Sequence, residues 1–207
     1  MAELFHHDVL AALRGASVRH VIVGGMAANL QGVPRFTSDL DVAVAIEDGS
    51  IGRAAEVLRG LGLACRLPVT HAELNHPETV RSWIAERDFQ AITFVDPKEP
   101  LREVALVIAS PVPFEEIERM ADRMSAGGVE LAVASIETLI RMKTGTGRKQ
   151  DASLGFEHHH SDEELRAYAR LTAEQKMRWL HDAWRFTADF LPASRREAWM
   201  KMRKGEA

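Results

Sequence analysis

The sequence predicts an α/β (α+β) fold in which a mixed sheet is flanked by helices and followed by a C-terminal helical appendage. Three observations carry this expectation. Short β-branched runs ("VRHVIV", "LDVAVAI", "FQAITFV", "REVALVI", "VELAVA") have strand length and composition. Segments of helical period separate most of them, as in a layered α/β body. From residue 161 onward no strand-like run occurs and helical period continues almost to the end.

In chain order, Leu4, Val9, Leu10 and Leu13 recur at helical spacing, with Gly15 placed to end that helix. "VRHVIV" is a buried strand that stops at Gly24-Gly25; "MAANLQG" follows as a short helix and "LDVAVAI" as a second strand. "IGRAAEVLRGL" returns to helical period, and "HAELNHPETVRSWIAERD" is mostly helical with an irregular start at its proline. "FQAITFV" and "REVALVI" are strands joined by the turn "DPKEP". "PFEEIERMADRM" is predicted as one helix, "VELAVA" as a short strand and "SIETLIRMK" as a helix capped approximately by Ser135. Ser161 with Glu164, and Thr172 with Gln175, have the three-residue spacing of capping boxes at the heads of two further helices. The expected division is a body over 1–151 and a helical region over 152–207.

The chain has 207 residues, 46% of them hydrophobic, enough for a sizeable core. Its single cysteine, Cys65, excludes an intramolecular disulfide framework and suits a reducing compartment as a small core residue. No secretory signal pattern and no apolar run of about 20 residues is present, so a cytoplasmic protein without a membrane span is expected. The net charge of −4 is uneven: residues 1–165 hold 16 Lys and Arg against 25 Asp and Glu, and residues 166–207 hold 10 against 5. The basic segment reads either as a solvated helix face or as a surface for an acidic partner. "EHHHSDEE" reads as a solvated turn, His6-His7 as surface, and Trp179, Trp184 and Trp199 as core.

Chemistry concentrates in "VIVGGMAANLQGVPRFTSDLDVAVA", residues 21–45. On a strand, Asp39 and Asp41 share a face about 6.6 Å apart. Carboxylates that close repel unless a cation lies between them, and hard oxygen ligands favour Mg²⁺ or Mn²⁺. Gly24-Gly25, between a strand and a helix, has the setting in which backbone N–H groups receive phosphate. A tight turn needs the same glycines, and a bare pair of acids also fits a solvated strand edge, so it is the spacing of the two features that points to a phosphate cradle beside a metal clamp.

The run "GGMAANLQGVPRFTSDLD" resembles the active-site signature of the DNA polymerase β nucleotidyltransferase superfamily. Within it, "GG-x-A" and "R-x-T-x-D-L-D" are similar to small bacterial members such as the AbiEii-like toxin nucleotidyltransferases. "FVDPKEPLREVALVI", "PFEEI" and "SIETLIRMKTGTGRKQD" match in order, so the resemblance covers about residues 18–151. It implies a polymerase β-type fold in which Gly24 and Gly25 hold the triphosphate of an NTP and Asp39 and Asp41 bind Mg²⁺ or Mn²⁺. It further implies that Arg35 and Thr37 flank the phosphates, that Lys143 and Arg148 reach the nucleotide, and that Asp151 orients this basic pair. The physics of the side chains agrees, since guanidinium is a bidentate phosphate partner and ammonium a point charge. Lys143 as a helix C-terminal cation and Arg148 with Asp151 as a surface pair are the structural alternatives.

The enzymes it resembles carry a third carboxylate where this chain has Ala105, which neither ligates metal nor accepts a proton. Glu103, two residues earlier on the same face, is the candidate substitute. The resemblance thus implies transfer of NMP from an NTP to an acceptor. A tRNA is the acceptor suggested by the toxin relatives, and a cognate antitoxin the partner such a system, or a phage-defence system, implies. Two alternatives stand beside it: a weakened or inactive nucleotide-binding homologue lacking the third acid, and a small-molecule (antibiotic) nucleotidyltransferase.

Overall fold

The computed structural model describes residues 4–87, 89–99, 101–145 and 160–190. Among them, seven strands form one mixed sheet: β1 (His20–Val23), β2 (Asp39–Val44), β3 (Ala64–Cys65), β4 (Ala91–Val95), β5 (Glu103–Val107), β6 (Asp122–Ala126) and β7 (Val129–Val133). Their spatial order is β3-β4-β5-β2-β1-β7-β6. β2 pairs antiparallel with β1 and parallel with β5; β1 pairs parallel with β7, and the two outer pairs, β3 with β4 and β6 with β7, are antiparallel, as is β4 with β5.

The helices are α1 (His7–Gly15), α2 (Gly24–Leu30), α3 (Ser50–Gly60), α4 (His71–Leu74), α5 (Pro77–Arg87), α6 (Phe114–Arg119), α7 (Ile136–Gly145), α8 (Asp162–Ala169) and α9 (Ala173–Phe190). One sheet face contributes Ile22, Leu40, Val42, Val104, Leu106 and Phe94 to the main core, closed by Leu10 and Leu13 of α1, Met26 and Leu30 of α2, Leu58 of α3 and Trp83 of α5. Met177, Leu180 and Trp184 of α9 belong to that same core, so the helices after residue 160 contribute to the packing that supports the sheet. The other face buries a smaller cluster, Val21, Val23, Ala43 and Ala132 under Ile117 of α6, with Leu139 and Met142 of α7 alongside.

Most expected elements form, with informative differences. The proline in "HAELNHPETVRSWIAERD" separates α4 from α5, and Thr70 caps α4 through a capping box with Glu73. The capping boxes at Ser161 and Glu164 and at Thr172 and Gln175 both close. "PFEEIERMADRM" is not one helix: α6 stops at Arg119 and Asp122–Ala126 is β6. Pairing to β7 overrides the helical period there, and the signal is the turn: Gly127 and Gly128 both have positive φ, 55° and 78°, as a two-residue hairpin requires. β3 is a two-residue edge strand too short for its period to be read. Cys65 on it is half-buried, and burial pushes its thiol up, away from reactivity.

His6 is buried, not on the surface, and neither ring nitrogen has a hydrogen-bond partner; the Ser38 backbone stands near without closing one. Trp184 is core as expected, whereas Trp179 is exposed. Trp199 lies outside the described residues. No described helix is long and apolar enough to cross a membrane.

Candidate active site

Register decides what the acids face. In the parallel β2–β5 pair Asp39 stands opposite Glu103, and Asp41 opposite Ala105. Opposed residues share a face, so Asp39, Asp41, Glu103 and Ala105 form a two-by-two patch on the more open face of the sheet. Glu103 is therefore the immediate lateral neighbour of Asp39, on a strand about 4.8 Å away. It is buried and accepts a hydrogen bond from Arg66 Nη2 at 2.9 Å, an ion pair reaching from the end of β3. Asp41 has the alanine methyl beside it.

Asp39 and Asp41 are both half-buried. Thr37, itself buried, donates its hydroxyl to Asp39 Oδ1. The glycine pair does not precede α2 as a separate turn but is its first turn, directly after β1. Gly24 has φ of 65°, and a Cβ built on it would lie 2.8 Å from Asp41 Cγ. On Gly25 a Cβ would lie 2.6 Å from Thr37 Oγ1. The side chains of the "T-x-D-x-D" run thus occupy the space that the glycines leave, which is why both features are needed together. The start of α2, where backbone N–H groups lack intrahelical partners, is pressed against the metal-ligand candidates.

Gly24, Arg35, Asp41 and Lys143 line one cleft of about 530 Å³. Its remaining wall is mostly apolar: Val23, Ala91, Val107 and Ala109 from the sheet side, Ile136, Leu139, Ile140 and Met142 from α7. Arg35 and Lys143 are exposed at its edge, the former on the segment between α2 and β2, the latter in the last turn of α7. Three residues of the run "GGMAANLQGVPRFTSDLD" and Lys143, about a hundred residues further on, therefore meet in one cavity. Arg148 and Asp151 lie outside the described residues. Two acids on one strand face form a hard-oxygen donor set that fits a divalent ion drawing its other ligands from phosphate. Among the described residues no group of three or more His, Cys, Asp or Glu side chains is placed to hold a metal.

No protein-family model matches the chain, and no curated protein does. Among solved structures, the solution structure of the antibiotic-resistance factor ANT(2'')-Ia is similar to it at 17% identity, over 96% of this chain and 95% of that one, with a TM-score of 0.44.

A larger cavity of about 670 Å³ lies elsewhere, between the residues preceding α1, the β4–β5 connection and α9. His6, Arg102 and Trp184 line it. Nothing local in the sequence signals it, because His6 stands beside His7 and Asp8 in a polar helix start that reads as surface. Its arginines are tied to acids, Arg102 to Asp8 and Asp96, Arg178 to Glu174 and Arg185 to Asp189. The larger volume is thus not where the acids and the glycine turn converge.

Proposed function

We propose that the protein is a divalent-metal-dependent nucleotidyltransferase that moves NMP from an NTP to an acceptor. The observation that carries this is the seating of Asp41 in the space of the missing Gly24 side chain, in a cleft that Arg35 and Lys143 also line. That arrangement brings a carboxylate, the first-turn backbone of α2 and two cations to one place, the kinds of group a metal-bound triphosphate needs. Asp39 and Asp41 would hold Mg²⁺ or Mn²⁺, and the ion would supply charge stabilisation at the phosphate oxygens. Gly24 and Gly25 offer main-chain donors to the phosphates, and Arg35 and Lys143 offset their charge. Thr37 orients Asp39. The apolar side chains of α7, with Ile136 and Ile140 exposed, give the nucleoside a surface to pack against. In the reaction an acceptor oxygen bonds to the α-phosphorus, the bond to the pyrophosphate oxygen breaks, and the acceptor proton leaves; Glu103 is the candidate to receive it.

Ala105 supports a second reading. A methyl group opposite Asp41 takes no proton, and Glu103 is engaged by Arg66, so nucleotide binding without transfer is the alternative function. The deciding experiment incubates the protein with Mg²⁺ and α-labelled NTPs, with total tRNA and with hydroxylated small molecules as separate acceptors, and measures Mg·NTP binding by calorimetry. Label transfer that Asp41→Asn abolishes supports the transferase. Binding without transfer supports the second reading. No metal-dependent NTP binding overturns both. Label on tRNA would extend the reading to a tRNA-modifying toxin with an antitoxin partner, and label on the small molecules to a resistance-type enzyme.

A further inference from the structure

The segment 31–38 joins α2 to β2 and carries Arg35 and Thr37. It is held from outside the sheet by α8, α9 and the residue leading into them. Asn29 of α2 is fully buried. Its Nδ2 donates to the Arg35 carbonyl at 3.1 Å, and its Oδ1 accepts from the Tyr168 hydroxyl at 2.9 Å. A carbonyl can only accept, so the Arg35 contact fixes the orientation of the amide and makes Tyr168 the donor.

Lys176, 5% exposed, donates from Nζ to the Leu30 carbonyl at 2.9 Å, meeting an otherwise open acceptor at the end of α2. The same ammonium stands 5.8 Å from the centre of the Tyr168 ring. His160 Nε2 donates to the Pro34 carbonyl at 2.8 Å, so this histidine is a tether and not part of a solvated turn. Gly32, with φ of 106°, backs onto Ala169: a Cβ there would meet the Ala169 backbone at 3.4 Å. The end of α2 and the connection after it therefore have four attachments to the chain from His160 onward, at Asn29, Leu30, Gly32 and Pro34, and the last polar step of the connection is the hydrogen bond from Thr37 to Asp39.

We propose that α8 and α9 are a positioning device for the cleft, with Tyr168 as its principal positioning residue. Acting through Asn29, Tyr168 fixes the backbone at Arg35 and so the placement of Thr37, Asp39 and the Arg35 guanidinium. The geometry stands on its own; its consequence for ligand rests on the nucleotide reading above. A single hydroxyl reaching a fully buried amide is a sensitive lever, because Asn29 Oδ1 loses its partner when that hydroxyl is removed.

The test uses the full chain, with Tyr168→Phe and, as a control for general loosening, Leu58→Ala, a buried residue of α3 remote from the segment. Amide hydrogen exchange is read at Gly32, Val33 and Arg35, whose N–H groups bond to Asn29, Ala28 and Val33 carbonyls. We expect exchange at these amides about tenfold faster in Tyr168→Phe than in either the parent or the control, and a Kd for Mg·NTP raised about tenfold in Tyr168→Phe alone. Lys176→Met replaces Tyr168→Phe if the latter fails to fold. Unchanged exchange at these amides overturns the proposal, as does equal acceleration in Leu58→Ala. Selective acceleration with unaltered Kd overturns the link to the cleft. If the parent binds no nucleotide, the function proposed above fails, while the positioning of segment 31–38 is still decided by the exchange.

Discussion

Gly24→Ala tests the most specific contact in the cleft. The substitution meets two costs of separate origin. At φ of 65° an L side chain is strained, by roughly 1–2 kcal/mol. The new methyl also lies 2.8 Å from Asp41 Cγ and closer still to its carboxylate oxygen, an overpacking of roughly 1–3 kcal/mol. Together they amount to about 2–5 kcal/mol, a large part of the 5–15 kcal/mol typical of a domain. The two costs separate in a double-mutant cycle. In an Asp41→Ala background the Cγ and carboxylate are gone, the nearest Asp41 atom left is Cβ at 3.0 Å, and Gly24→Ala is expected to cost chiefly the backbone share. Urea unfolding of the four proteins measures the coupling, expected at about 1–3 kcal/mol. An equal penalty in both backgrounds, within about 0.5 kcal/mol, would show that Asp41 does not stand against Gly24 and would refute the packing of the carboxylate on the glycine turn.

Ala105→Asp restores an acid opposite Asp41; under the transferase reading it raises label transfer to a hydroxyl acceptor by about tenfold or more, and no gain in a radiolabel assay refutes the role assigned to that position. Arg66→Met removes the 2.9 Å ion pair to buried Glu103 and is expected to cost about 1–3 kcal/mol in denaturant unfolding; a change below about 0.5 kcal/mol would mean that Arg66 does not hold Glu103. His6 makes stability depend on acid: burial, and next the Arg102 guanidinium, pushes its imidazole down from 6.5 to about 4. The unfolded chain takes up this proton near pH 6.5 and the folded one only near pH 4, so stability present above the upper value is lost as pH falls through that window, by roughly 3 kcal/mol. His6→Leu flattens that part of the curve of stability against pH, and an unchanged slope in the variant refutes the assignment.

How far the site was legible in the sequence follows from the range of the interactions. That Asp39 and Asp41 share a face needs only the two-residue period of a strand, and the proximity of Gly24-Gly25 needs only a short β–α–β connection; both could be read locally. The parallel register of β2 with β5 could not, because it joins residues 64 apart through packing that no local pattern encodes. Read along β5 alone, Glu103 looks displaced from the acids by a two-residue step, yet in the sheet it is the neighbour of Asp39. The burial of His6 and the tether from Tyr168 to Asn29, 139 residues apart, are invisible for the same reason. β6 was legible in principle: Gly127-Gly128 announces a hairpin, but the helical period of "FEEIERMADRM" runs on past Arg119 and masks it.

The long connection between β2 and β5 has a consequence for synthesis. Residues 20–44 contain β1, α2 and β2 and make their mutual contacts over short loops, which cost little entropy to close. β5 leaves the ribosome some sixty residues later, after α3, α4, α5 and two further strands. Contacts of long sequence separation form late. The glycine turn and the two aspartates can therefore come together while the strand carrying Glu103 and Ala105 is still being made, and the wall that α7 adds to the cleft with Lys143 comes later still.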